Sequence, residues 1–73
     1  MEVKDGEGRE ISVSYVSRLI DEWIFSERDR AILKRRLIDG IKFERLAEEF
    51  DLSVRQTKNI VYRGSKKIFR HYN

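Results

Sequence analysis

The stretch that decides the fold runs from Phe43 to Tyr62 and reads "FERLAEEFDLSVRQTKNIVY". Phe43, Leu46, Ala47 and Phe50 repeat at helical spacing, while Glu44, Glu48 and Glu49 fall on the other faces, so a short amphipathic helix is expected over 42–50. "DLS" then forms a tight connector, and Ser53 stands where an N-cap belongs. Beyond it the sequence supports a long last helix over 53–71. Its one weak point is Gly64, which costs about 1 kcal/mol against Ala in mid-helix and is tolerable where another helix crosses closely.

At about 100° per residue this last helix separates into two faces. Arg55, Lys58, Asn59, Tyr62, Arg63, Lys66 and Arg70 share one, and Thr57, Ile60, Val61, Gly64 and Ile68 the other. Phe69 does not fit that division. From Leu52 to Asn73 there are six bases and no acid, whereas residues 1–51 hold ten bases and all 13 acids, a net of −3. The overall +3 therefore conceals a tail of +6. Surface helices built from ion pairs at i,i+4 are not free of acids. Arg and Lys reach phosphates and guanine edges, and Asn and Gln pair with adenine edges in the major groove, so the pattern favours nucleic acid over a plain solvated face.

Upstream, "SERDRAILKRRLIDG" (26–40) supplies a helix over 27–38. Ser26 is its N-cap, Glu27 and Asp29 sit in the first turn where the dipole favours them, and Gly40 is its stop. Ala31, Ile32, Leu33, Leu37 and Ile38 are its core candidates, and its alternating charges read as a solvated face. Before it, Val16, Leu19, Ile20, Trp23 and Ile24 mark a first helix over 12–25, capped by Ser12 or Ser14, with Trp23 as a core anchor. "MEVKDGEGRE" (1–10) reads as a flexible leader, leaving 11–73 as one domain. The expected class is all-α with four helices.

Composition narrows the functions. No Cys is present, so neither disulfides nor thiolate metal sites supplement the core. No apolar run approaches the roughly 20 residues a bilayer span needs, and the charged start is not an export signal; a soluble, cytoplasmic protein is expected. Catalysis is not expected: His71 lies at the tail without Cys or triad partners, and Ser53 and Ser65 read as a cap and a surface residue. Glu44, Glu48 and Glu49 lack the surroundings that turn carboxylates into an acid–base pair. No cofactor is implied.

The segment 43–62 resembles a helix-turn-helix, with Ala47 at the helix approach, Leu46, Phe50, Leu52 and Ile60 at the apolar positions, and Ser53 opening the recognition helix. The longer run from Ser26 to Ile68 is similar to region 4 of bacterial sigma factors of the sigma-70 type. Arg30, Ile32, Leu33, Gly40, Phe43, Leu46, Ala47, Leu52, Ser53, Lys58, Lys66, Lys67 and Ile68 follow that family's running pattern without a gap. LuxR-type DNA-binding domains are related in shape, but "RGSKKIF" (63–69) matches the sigma version better. The resemblance implies a sigma region 4-like, winged-helix-like three-helical core plus an N-terminal helix. It also implies sequence-specific binding of double-stranded DNA in transcription, with Val54, Arg55, Lys58 and Asn59 reading bases. Ser53, Gln56, Tyr62, Arg63 and Lys66 complete the expected DNA-binding set, with Lys42 as a phosphate contact.

The chain departs from that family at several positions. Val54 replaces a common Arg and Arg55 a common acid, which argues against the housekeeping −35 element as the target. Asp51 replaces a frequent turn Gly, Thr57 a branched apolar residue, and Arg35 an apolar one. Region 2, which opens promoters in that family, is not among these 73 residues. The expectation is therefore a free-standing DNA binder or one subunit of a two-chain sigma factor. The rival is an adaptor that binds RNA polymerase and has little DNA affinity of its own.

Overall fold

A computed structural model describes residues 2–4 and 10–71, with side chains from Ile11 to His71. The four expected helices are present: α1 (Val13–Trp23), α2 (Glu27–Leu37), α3 (Phe43–Phe50) and α4 (Val54–Arg70). Ahead of them, β1 (Glu2–Lys4) pairs antiparallel with β2 (Glu10–Ser12), Val3 opposite Ile11. Part of the expected flexible leader is thus a strand, and residues 1 and 5–9 lie outside the described residues. Ile11 explains the pairing: it is buried in the same core as α1, which brings β2 against the helices.

Three of the helix starts follow from a local hydrogen bond. Ser12 Oγ accepts from Tyr15 N–H at 3.2 Å, Ser26 Oγ from Asp29 N–H at 3.3 Å, and Ser53 Oγ from Gln56 N–H at 3.0 Å. Gly40 reverses the chain after α2 with φ of +69°, and Ile41 N–H then donates to the Arg35 carbonyl at 3.1 Å. After α3 the reversal falls on Asp51, with φ of +55°. This left-handed conformation favours Gly and strains other residues, although Asp tolerates it better than most. Leu52 N–H closes the turn on the Ala47 carbonyl at 2.9 Å.

The core is built from Val16, Leu19, Ile20 and Ile24, with Ile32 and Leu33 of α2, Leu46 of α3, and Val61 and Ile68 of α4. Helix α4 packs on all three other helices. Thr57, the one fully buried polar residue among those described, donates its hydroxyl to the Ser53 carbonyl at 2.9 Å. Phe69, which fits neither face by spacing, packs half-buried against the core, and Ile60 is half-buried as well. Trp23 is also only half-buried; its ring stacks on His71, with centroids 3.6 Å apart and planes 7° from parallel. His71 is exposed, as expected, yet it closes α4 onto α1.

The charges of α2 are not the solvated face their alternation suggests. Lys34 reaches Asp21 of α1 at 2.8 Å, and Arg35 reaches Glu49 of α3 at 2.7 Å. Arg36 donates to the Ile41 carbonyl at 3.1 Å, and Arg30 donates to the Ile24 carbonyl. The helix is fastened to both neighbours by its own cations. The Arg35 hydrogen bond holds the Glu49 carboxyl below its ordinary value of 4.5 against desolvation, with Arg45 adding to the effect.

A Cβ on Gly64 would lie 2.9 Å from Leu33 Cδ2 and 3.1 Å from Cγ, with Cδ1 closer still. Leu33 is fully buried, so it has little room to withdraw. Overpacking of this kind costs about 1–3 kcal/mol, against about 1 kcal/mol gained in helix propensity. Gly64→Ala should therefore lower the urea midpoint, and adding Leu33→Val should restore part of the loss; a midpoint raised by Gly64→Ala alone refutes the steric account. Acid provides a separate check. Because the Glu49 value is depressed, its contribution is complete above the unfolded-state value and is lost as pH falls through the folded one. Thermal melting followed from about pH 5 to pH 2 should show a shallower acid decline in Glu49→Gln than in the parent.

Candidate nucleic-acid interface

The expected site residues divide by what already holds them. Ser53 and Gln56 are tied to each other: besides the Ser53 hydroxyl bond, Gln56 Oε1 accepts from Ser53 N–H at 2.9 Å, completing a capping box. These polar atoms serve the start of α4. Val54 is half-buried. Arg55, Lys58, Asn59, Tyr62, Arg63 and Lys66 are all exposed, along with Lys67 and Arg70.

Lys42 stands at the start of α3. It occupies the N-cap position but makes no capping bond, and it is exposed. The next residue, Phe43, has its ring 6.1 Å from Tyr62, edge to face, with Lys58 Nζ 5.7 Å and the Arg36 guanidinium 4.2 Å from its centroid. The Phe43 ring thus gathers Arg36, Lys58 and Tyr62 although α2, α3 and α4 separate them in sequence. Spacing alone did not single out Arg36 for this cluster.

The electrostatic division is sharp. Among the described side chains, Arg18, Arg28, Lys34, Arg35 and Arg45 are paired with carboxylates. Arg30 and Arg36 are bonded to backbone carbonyls. Lys42 and the six cations of α4 make neither kind of bond; Lys58 and Lys67 touch only aromatic rings. The first turn of α4 contains no acid to oppose the positive end of its dipole, unlike α2 and α3. The arrangement presents uncompensated positive charge, with the Asn59 amide among it, along one exposed helix face.

The side chain that sequence reading missed is Phe25. It stands 74% exposed at the α1–α2 junction, with Lys67 Nζ 5.1 Å from its ring centroid. The apolar period of the first helix ends at Ile24 and gave Phe25 no role, and only the tertiary arrangement shows its exposure beside α4. Among the described residues no group of His, Cys, Asp and Glu is placed to hold a metal ion, and no helix is long and apolar enough to cross a membrane. Comparison with protein-family models, curated proteins and solved structures found no match to this chain.

The capping box provides a check on this division of roles. Ser53→Ala should cost about 0.5–2 kcal/mol of stability in denaturant melts, because it frees the Gln56 amide rather than removing a ligand contact. Any effect on binding should disappear at temperatures where the variant is fully folded.

Proposed function

We propose that the chain binds double-stranded DNA sequence-specifically, with α3 and α4 acting as a helix-turn-helix and α4 entering the major groove, in the setting of bacterial transcription. One observation carries the reading: among the described side chains, the cations left without a carboxylate or carbonyl partner are Lys42 and the six of α4. The cations of α1 and α2, and Arg45 of α3, find partners within the chain, whereas those of α4 do not. A row without partners suits a polyanion, whose phosphates release counterions when Lys and Arg replace them.

Position along α4 suggests the division of labour. Arg55, Lys58 and Asn59 lie in its first two turns, the part of a recognition helix that reaches base edges. Lys66 and Arg70 lie further along, where the helix leaves the groove floor and runs beside the backbone. Lys42, at the start of α3, and Tyr62, which meets Phe43 edge to face, suit phosphate contacts. The likeness of residues 26–68 to sigma region 4 supports promoter-proximal DNA as the ligand. The same likeness leaves RNA polymerase or a region 2-bearing chain as a further partner.

Duplex titrations over a range of salt test this. With about four to six phosphates neutralised, log affinity should fall against log salt with a slope of roughly −3.5 to −5.5. Arg55→Ala should cost about 1–3 kcal/mol on a selected site and little on random duplex. Lys66→Ala should weaken both alike and reduce the slope by about one. A flat salt response would favour the adaptor reading. Equal proportional losses for the two variants would remove α4 from the base-reading role.

A further inference from the structure

The polar side chains in the first two turns of α4 are Arg55, Gln56, Thr57, Lys58 and Asn59, and most of them are already engaged. Gln56 is held in the capping box, where its Oε1 accepts from Ser53 N–H at 2.9 Å. Thr57 is fully buried and donates its hydroxyl to the Ser53 carbonyl at 2.9 Å. Lys58 leans towards α3, with Nζ 5.7 Å from the centroid of the Phe43 ring. Arg55 and Asn59 remain, both exposed and without a hydrogen bond or ion pair inside the chain. Four residues separate them, which is about 6 Å along the helix and about 40° around it. Stacked base pairs lie about 3.4 Å apart, so a helix running along the major groove brings these two side chains to bases one or two steps apart.

We propose that the specificity of α4 is for two purines: Arg55 reads a guanine and Asn59 an adenine one or two steps away, while Gln56 reads no base. This rests on the proposed binding of duplex DNA and deepens it by naming the bases. The chemistry of the pair selects them. A guanidinium offers parallel donors, which match the O6 and N7 acceptors of guanine. A carboxamide offers a donor and an acceptor, which match N7 and the N6 amino group of adenine. The cytosine N4 amino group calls for a carboxylate, and no acid occurs from Leu52 to Asn73. Gln56 would be a second adenine-reading amide beside Arg55, but turning it towards a base gives up its bond to Ser53 N–H and opens the capping box. The device that starts the helix thus removes one amide from the code and leaves Asn59 to supply the other.

The test uses the full 73-residue chain and a pool of random duplexes. Rounds of selection should converge on sites that share a guanine and an adenine at that spacing. Replacing the guanine by its 7-deaza analogue, which keeps its base pairing but lacks the N7 acceptor, should weaken binding by the parent about tenfold. The same replacement should change little for Arg55→Ala, which has already lost the contact. The 7-deaza analogue of the adenine should likewise weaken the parent and leave Asn59→Ala unaffected. Both side chains are exposed, so neither variant should melt earlier than the parent. Gln56→Ala should melt earlier through loss of the cap, yet select the same sequence at temperatures where it is folded. A changed or relaxed sequence selected by folded Gln56→Ala overturns the proposal. Analogue effects of equal size in parent and variants, or selected sites without the two purines, overturn it as well. Duplex binding that selects no sequence removes the base assignment and leaves DNA binding standing. Absence of duplex binding at any salt removes both.

Discussion

The contact between Gly64 and Leu33 is the constraint on which the rest of the arrangement turns. Helix α4 lies so close to α2 that a single methyl group would not fit between them. That closeness seals the core, because Val61 and Ile68, on either side of Gly64, then reach the apolar faces of the other helices. It also fixes the rotation of α4 about its axis. With Thr57, Val61, Gly64 and Ile68 turned inward, geometry sends Arg55, Lys58, Tyr62 and Lys66 outward together. The packing of one face thus determines the chemistry of the other.

A second constraint acts through charge. The cations of α2 are used inside the molecule, on Asp21, Glu49 and two backbone carbonyls, and so join α2 to α1, α3 and the loops between them. Such pairs at partly exposed positions each add little stability. Their collective effect is on geometry: they hold the frame from which α4 projects. Acids of α1 and α3 are drawn into that frame, and the bases of α4 are left without counterparts. The absence of acids from Leu52 onward in the sequence thus becomes, among the described side chains, a helix whose cations have no carboxylate beside them.

Much of this was legible in the sequence because it is local. Ser26, Ser53 and Gly40 announce helix ends through hydrogen bonds and backbone angles within a few residues. The apolar periods placed Val16, Ile32, Leu46 and Ile68 in the core, where they are. The crossing at Gly64 was readable as the condition under which a mid-helix glycine is tolerated. What escaped is non-local. Strands of three residues are too short to show an alternating pattern, and their pairing depends on the burial of Ile11. Phe25 received no role because nothing nearby in sequence says that Lys67 of α4 passes beside it. The partner of Arg35 lies 14 residues away, so the alternation of charge on α2 resembled an ordinary wet face.

The stack of Trp23 on His71 brings together the chain's single indole and its single imidazole. Fluorescence from that tryptophan therefore reports on the seam where α1 meets the end of α4. The base-reading end proposed for α4 lies at its opposite terminus. The molecule carries an intrinsic optical gauge at one end of the helix for events at the other, and needs no added dye to show whether α4 moves as a rigid rod or frays from its tail.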